Sequence, residues 1–577
     1  MAFMNFLSHE QFSDRLIILT EGYSMVHRFT IGCVIGDEKI LVIDSGLGMH
    51  GELRKYIENL VGTDKPIICV CTHGHLDHVG SACLFDEAYC SLKDFGPGKM
   101  DPFDPIRRYC DVVDFSLESN LVSNYCKEHM IQDNRVEFKD IQDGDVFDLG
   151  GIAIEAIAVP GHSDGSMAFY CKEEKFCFTG DAINTDVHLK RMTSAGFRAY
   201  KTVLERFISR VDPEVTLYPA HLPLPMTIDI AYNLVQVCDE LIAGNVDHDP
   251  PVEGIFHSRK NDRNIRGHYI NNTCIVYNRS LLDGKNTPVV VNDVCYYSHE
   301  KWSDRIYTVT INYSTVNRIT LMVFIGDEKI LVIDSGHGID NKLRTYIEGF
   351  AGSGKPMLCA LTHIGIDHGG AATLFDEIYL HRNDILKLPM SRHKRYIDAL
   401  PFSNYSTEFA EYADLNTLEA LDPARVTSIE DGDVFHLGNL DVECIFTPGH
   451  SQGHMAYYCA SEKICFTGDA MNVDTHLKSM TRQGMVDYVN MVQNFINRVA
   501  PDTVTFSAHL NRPHSMRVPR NIQAACLEIA NGQIYADPPG EAIQQHISAF
   551  HNPNIKMHYH GNCCVVYNLA TLNSQKA

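Results

Sequence analysis

The chain has no Cys-x-x-Cys pair, no apolar run of about 18 residues, and no basic segment leading into an apolar one within residues 1–10. Without framework spacing, its 19 cysteines read as free, mostly buried thiols and not as a disulfide scaffold. Without a membrane span or a leader, the expectation is a soluble protein of the reducing cytoplasm. Positive charge is scarce as well: 49 Lys and Arg face 73 Asp and Glu, for a net charge of −24. That balance sets aside extended contact with nucleic acid or an anionic membrane and leaves a small-molecule substrate. What remains is ordinary for globular protein, 45% apolar and 21% charged, although 577 residues are too many for one core.

The densest chemistry lies in Thr72-His73-Gly74-His75-Leu76-Asp77-His78, straight after the apolar run Pro66 to Cys71. In an extended segment side chains alternate, so His73 and His75 project the same way and can share one ion. Asp77 and His78 fall where the chain must turn and point at a second position. Cys69 and Cys71, inside the apolar run, read as core. Three further candidates sit at the ends of strand-like runs: His162 in Pro160-Gly161-His162-Ser163, Asp181 after Thr179-Gly180, and His221 in Tyr218-Pro219-Ala220-His221. Such places at the rim of a rigid sheet suit ligands.

The chain repeats itself. Gly36 to Gly46 (GDEKILVIDSG) returns letter for letter as Gly326 to Gly336, an offset of 290 residues. Asp143 to Phe147 returns as Asp431 to Phe435, and Phe178 to Ala182 as Phe466 to Ala470. Two domains follow, 1–284 and 285–577, with the polar run Asp283 to Pro288 as the join. In the first unit, 39–43, 66–71, 152–159 and 175–178 read as buried strands. Leu53, Tyr56, Ile57 and Leu60 fall at helical spacing, as do Val203, Leu204, Phe207, Ile208 and Val211. A layered α/β unit is expected from each copy. The copies diverge most over 94–134 and 383–422, read as a helical insertion that either roofs the site or leaves the surface.

The ordered set His73-x-His75-x-Asp77-His78, Gly161-His162, Gly180-Asp181 and His221 resembles that of the metallo-β-lactamase superfamily, almost end to end in each repeat. The resemblance implies tandem αβ/βα sandwiches with two metals at the sheet edges. It implies that His73, His75 and His162 hold one ion, that Asp77, His78 and His221 hold the other, and that Asp181 bridges. Asp77 and Asp181 are then the candidate catalytic carboxylates. Imidazole and carboxylate donors favour zinc, with iron or manganese as alternatives. A hydroxide shared by two such ions is a nucleophile at neutral pH. Two divalent ions, two carboxylates and a hydroxide leave the site near about +1, attractive to an anionic substrate inside an acidic protein. Asp44 and its copy Asp334 divide between a turn cap and a group orienting a ligand histidine. The run Asn184-x-Asp186-x-His188-Leu189-Lys190 divides between pocket lining and local loop structure.

In the second copy, Thr362-His363-Ile364-Gly365-Ile366-Asp367-His368 places Gly365 where His75 stands. Glycine offers no donor, so one position keeps His363 and His450, while Asp367, His368, Asp469 and His509 remain for the other. Zero or one metal is expected there, with the second repeat paired intramolecularly against the first; self-association into a homo-oligomer is the further partner reading. The leading function is a hydrolase of an ester, thioester, lactone or related acyl group, active in the N-terminal repeat. The alternatives are an iron-dependent redox enzyme resembling sulfur dioxygenases, and a non-catalytic metal-binding scaffold. After His221 no counterpart of the basic glutathione-binding residues of hydroxyacylglutathione hydrolases follows.

Overall fold

A computed structural model describes residues 5–23, 28–62, 65–107, 120–221, 224–252, 264–285, 290, 293–313, 318–386, 412, 418, 421–510, 512–538 and 554–574. The first copy opens with β1 (Leu7–Gln11), β2 (Leu16–Gly22), β3 (Arg28–Ile35), β4 (Ile40–Ile43), β5 (Ile67–Val70) and β6 (Glu87–Tyr89), which form one sheet in that order. A second sheet follows from β7 (Val146–Asp148), β8 (Ala153–Ala158), β9 (Met167–Cys171), β10 (Phe176–Gly180) and β12 (Thr216–Pro219), while β11 (Asp186–His188) joins β13 (Ile265–Ile270) and β14 (Thr273–Asn278) in a third.

The alternation of side chains explains the layers. From β4, Leu41 and Ile43 meet Phe169 and Phe178 of the second sheet in a core between the sheets. Ile40 and Val42 of the same strand face the other way, onto Leu53 and Ile57 of the helix Leu53–Val61. The outer face of the second sheet, through Ile157 and Tyr170, is covered by Phe197 and Leu204 of the helix Ser194–Arg210 and Leu234 of Asp229–Ala243. Helix, sheet, sheet, helix is the expected α/β sandwich, and the second copy repeats it with sheets of seven, six and three strands.

The strands read from the sequence lie where they were placed, a residue or two shorter or longer. The helix Ser194–Arg210 begins nine residues earlier than its apolar spacing announced, because Thr193 caps it by accepting from the Gly196 amide. Asp77 and His78 occupy a short helix, Leu76–Val79, where a turn was expected. The described cysteines are all free, and Cys69 and Cys71 are fully buried, as core residues should be. Much of the divergent insertion, 108–119 and most of 387–420, lies outside the described residues.

Side chains of the two copies also touch. Arg28 pairs with Asp474, and its counterpart Arg318 pairs with Asp186. Leu224 of the first copy is buried in a core cluster of the second, whereas Arg512, at the matching place in the second copy, donates to Thr185 Oγ1 of the first at 2.7 Å. Glu10 meets Arg517 at 3.0 Å.

Candidate metal centre

Strand ends deliver the candidate ligands to one rim. His73 and His75 follow β5, His162 follows β8, Asp181 follows β10 and His221 follows β12. The chain can bring Asp181 close because Gly180 adopts φ 55°, and a Cβ there would lie 2.6 Å from Thr72 Oγ1. His73 and His78 are 1% exposed, so their polar atoms need partners.

Those partners fix the tautomers. His78 Nδ1 donates to Asp44 Oδ2 at 2.9 Å, and its Nε2 is buried without a hydrogen bond. The Thr72 hydroxyl donates to Asp44 Oδ2 at 2.9 Å and so accepts from His73 Nδ1 at 3.2 Å. His221 Nδ1 donates to the Arg28 carbonyl at 3.1 Å. In each case the opposite ring nitrogen is left for a proton or a cation.

Those nitrogens converge. His75 Nδ1 is 2.9 Å from His73 Nε2 and 3.0 Å from His162 Nε2, nitrogens that need a proton or a cation between them. Asp77, His78 and His221 offer a second group of atoms within 4.8 Å of one another. Asp181 stands between, with Oδ2 3.6 Å from His162 Nε2 and 3.7 Å from His78 Nε2, and Oδ1 3.3 Å from His221 Nε2. Buried imidazoles paired with carboxylates fit divalent cations, whose binding displaces the ring protons. All seven residues singled out from the sequence are therefore brought together.

Charge states follow burial first. Burial and the neighbouring imidazoles hold His73 well below its ordinary pKa, and burial pushes His162 down to about 4. For His221 burial acts the same way, but the Asp181 and Asp77 carboxylates outweigh it and raise the group to about 9. Burial would raise Asp181, yet His221 and His78 overcome it and hold the carboxyl well below the usual range.

The carboxylate of Asp44, a residue at φ 62°, accepts from the Thr72 amide at 2.7 Å and from His78, the orienting contact of its two readings. Of the run after Asp181, Asn184 donates to the Ala220 carbonyl at 3.0 Å, a local loop role beside His221. His188 is pushed down to about 3 by burial and then by Lys190, with His162 and Asp181 also acting on it.

Asp94 was missed by sequence reasoning. Its carboxylate accepts from the Gly74 amide at 2.8 Å, the Gly165 amide at 2.7 Å and Ser163 Oγ at 2.8 Å, tying the loop of His73 and His75 to the loop of His162. Its one signal was persistence: it returns as Asp384 where the copies otherwise diverge, and Asp384 accepts from Ser451 Oγ at 2.8 Å and Gly453 N at 3.2 Å.

In the second copy, Asp367, His368 and His509 form one group and His363, His450 and Asp469 another, so Asp469 supplies the third atom where Gly365 gives none. A Cβ on Gly365 would lie 2.7 Å from His363 Nε2 and 2.6 Å from His368 Cδ2. A further buried histidine, His454, stacks on His363 at 5.2 Å where the first copy has Ser166. Its Nε2 accepts from the Asp469 amide at 3.2 Å, so that lone pair is already taken.

Comparison with known proteins agrees on the family. The model of the metallo-beta-lactamase superfamily matches residues 31–221 and 316–480. The acyl-coenzyme A thioesterase MBLAC2 of Bos taurus is 27% identical over 224 residues, 37% of this chain and 79% of that protein. The hydroxyacylglutathione hydrolase GloC of Haemophilus influenzae is 28% identical over 149 residues, 26% of this chain and 63% of that one. Among solved structures, a metallo-beta-lactamase family protein from Thermus thermophilus has 18% identity and a TM-score of 0.29, over 40% of this chain and 80% of its own.

Proposed function

The chain belongs to the metallo-beta-lactamase superfamily and is a metallo-hydrolase of that family, and from that premise we propose that its first half hydrolyses an acyl thioester at a two-metal centre. The observation that carries the proposal is the convergence of His73, His75 and His162 beside Asp77, His78 and His221, with Asp181 between the two groups. The thioester is favoured by the acyl-coenzyme A thioesterases that the chain resembles.

Two divalent ions held there, zinc by the donor chemistry, would supply an activated water and polarise the carbonyl under attack. The chain's own part is orientation and charge. Asp44, Thr72 and the Arg28 carbonyl each hold one imidazole by Nδ1, so that Nε2 is the nitrogen left for an ion. Asp77 stays ionised: burial works against it, but His78 and His221 lower its pKa, so it offers the site a carboxylate and not a carboxylic acid.

The second half, from 285, keeps Asp367, His368 and His509 together with Asp469, and to this group we assign at most one ion and no turnover. Its place in this reading is that of an intramolecular partner for the residues before 285. The test joins metal quantification to a panel of acyl-coenzyme A thioester, ester, lactone and phosphodiester substrates. His75→Ala should abolish thioester hydrolysis and lower the metal content, while His363→Ala leaves hydrolysis largely intact. Equal loss from both substitutions would overturn the one-active-half reading, and turnover confined to phosphodiesters would overturn the substrate.

A further inference from the structure

The contacts between the halves are reciprocal, and one of them reaches the metal centre. Arg28, 4% exposed at the start of β3, pairs with Asp474 and lies 5.6 Å from the centre of the Tyr559 ring. Its counterpart Arg318 donates Nη1 to Asp186 Oδ2 at 2.9 Å and lies 5.6 Å from the Tyr269 ring. Gly22, opposite Arg28 in the β2–β3 register, makes room for the visiting ring, since a Cβ there would come within 3.1 Å of Tyr559 Oη. The same Arg28 offers its carbonyl to His221 Nδ1 at 3.1 Å. The residue anchored through its side chain by the second half is thus the residue whose main chain aims a candidate ligand of the first.

A buried guanidinium cannot be left without its partner: removing one member of such a pair strands a charge in a low-dielectric interior. The cation–π contact adds to the hold. We propose that Asp474 and Tyr559 are positioning residues for the first half's metal centre, acting through the Arg28 carbonyl on His221. Neither residue belongs to the sandwich that carries the ligands, so the second half completes a site it does not contribute atoms to. The inference rests on the metal-centre reading of the previous subsection.

The test uses the full-length chain carrying His363→Asn, His450→Asn, His368→Asn and His509→Asn, so that neither of the second half's own groups competes. Cobalt(II) binding is followed by its absorption spectrum against a competing chelator. Asp474→Asn should weaken one of the two bound equivalents, the one on the His221 side, by about tenfold or more, the loss typical when a group supporting a metal ligand is removed. The other equivalent should hold its affinity, and Asp474→Glu should restore most of the loss. Tyr559→Leu, which keeps the ion pair, should weaken the same equivalent by a smaller factor, and it carries the test if Asp474→Asn does not fold. Unchanged affinity, or equal weakening of both equivalents, would overturn the inference while leaving the metal centre standing. No cobalt bound to the first half of the parent would overturn the metal-centre reading itself.

Discussion

Asp44 adopts φ 62°, a left-handed conformation that asparagine tolerates at least as well as aspartate. Asp44→Asn should therefore keep the backbone conformation while offering His78 a neutral acceptor in place of a carboxylate. The expected result is a fall in metal affinity of about 10-fold to 100-fold with little change in melting temperature, measured by chelator competition and thermal unfolding. At this scale the ligands were legible and their supports were not. Alternation in a strand places His73 and His75 on one side from sequence alone, and the distant His162, Asp181 and His221 each follow a strand and a small or turn-forming residue. No local pattern says that the Arg28 carbonyl faces His221, because that contact joins residues 193 apart. His454 was equally invisible: its significance lies in what stands behind Gly468 after folding, not in its neighbours along the chain.

The short 3-10 turn Leu92–Asp94 fastens two ligand loops with one carboxylate. Asp94→Ala would leave the Gly74 and Gly165 amides without their acceptor, a loss of about 1 to 3 kcal/mol for each that stays dry. Faster amide exchange at those two glycines, together with a lower kcat, is the expected outcome; slow exchange at both would place the loops under other control. Strands were the best read of the elements, since short apolar runs between Gly, Asp and Pro leave few alternatives. Asn264-Ile265 and His268-Tyr269 recur as Asn554-Ile555 and His558-Tyr559, but that repetition does not announce the β13–β14 hairpin, because its pairing with β11 depends on a partner about 90 residues earlier that has no apolar run of its own. The helix Leu76–Val79 escaped notice for a related reason: four residues are too few for periodicity.

Glu300 brings the two halves together at the scale of the whole chain. Its Oε2 is buried without a hydrogen bond, and burial, then the Asp229 carboxylate from the other half, raises its pKa to about 8 against the opposing pull of Arg512. The folded form thus binds this proton more tightly than the unfolded chain, whose glutamate titrates near 4.5. Stability from this group is lost as pH rises from about 4.5 through about 8, and Glu300→Gln should flatten that part of a plot of melting temperature against pH. A variant slope equal to the parent's would remove Glu300 as its source. The tandem arrangement was fully legible because eleven consecutive residues recur, whereas the joint between the copies was not, since it mixes residues the copies share, such as Arg28 and Arg318, with residues that differ, such as Leu224 and Arg512. At the position of Glu300 the first copy has Glu10, which meets Arg517, and at the position of Arg517 it has Asp229. Two separate copies of one chain about a twofold axis would carry every substitution twice, on both sides of the axis. Covalent linkage lifts that rule: an arginine at 512 needs a hydroxyl only at Thr185, and Leu224 on the opposite side is free to stay apolar. The joint can therefore be altered one side at a time, and a substitution that would ruin a true dimer by appearing twice can be tolerated here by appearing once.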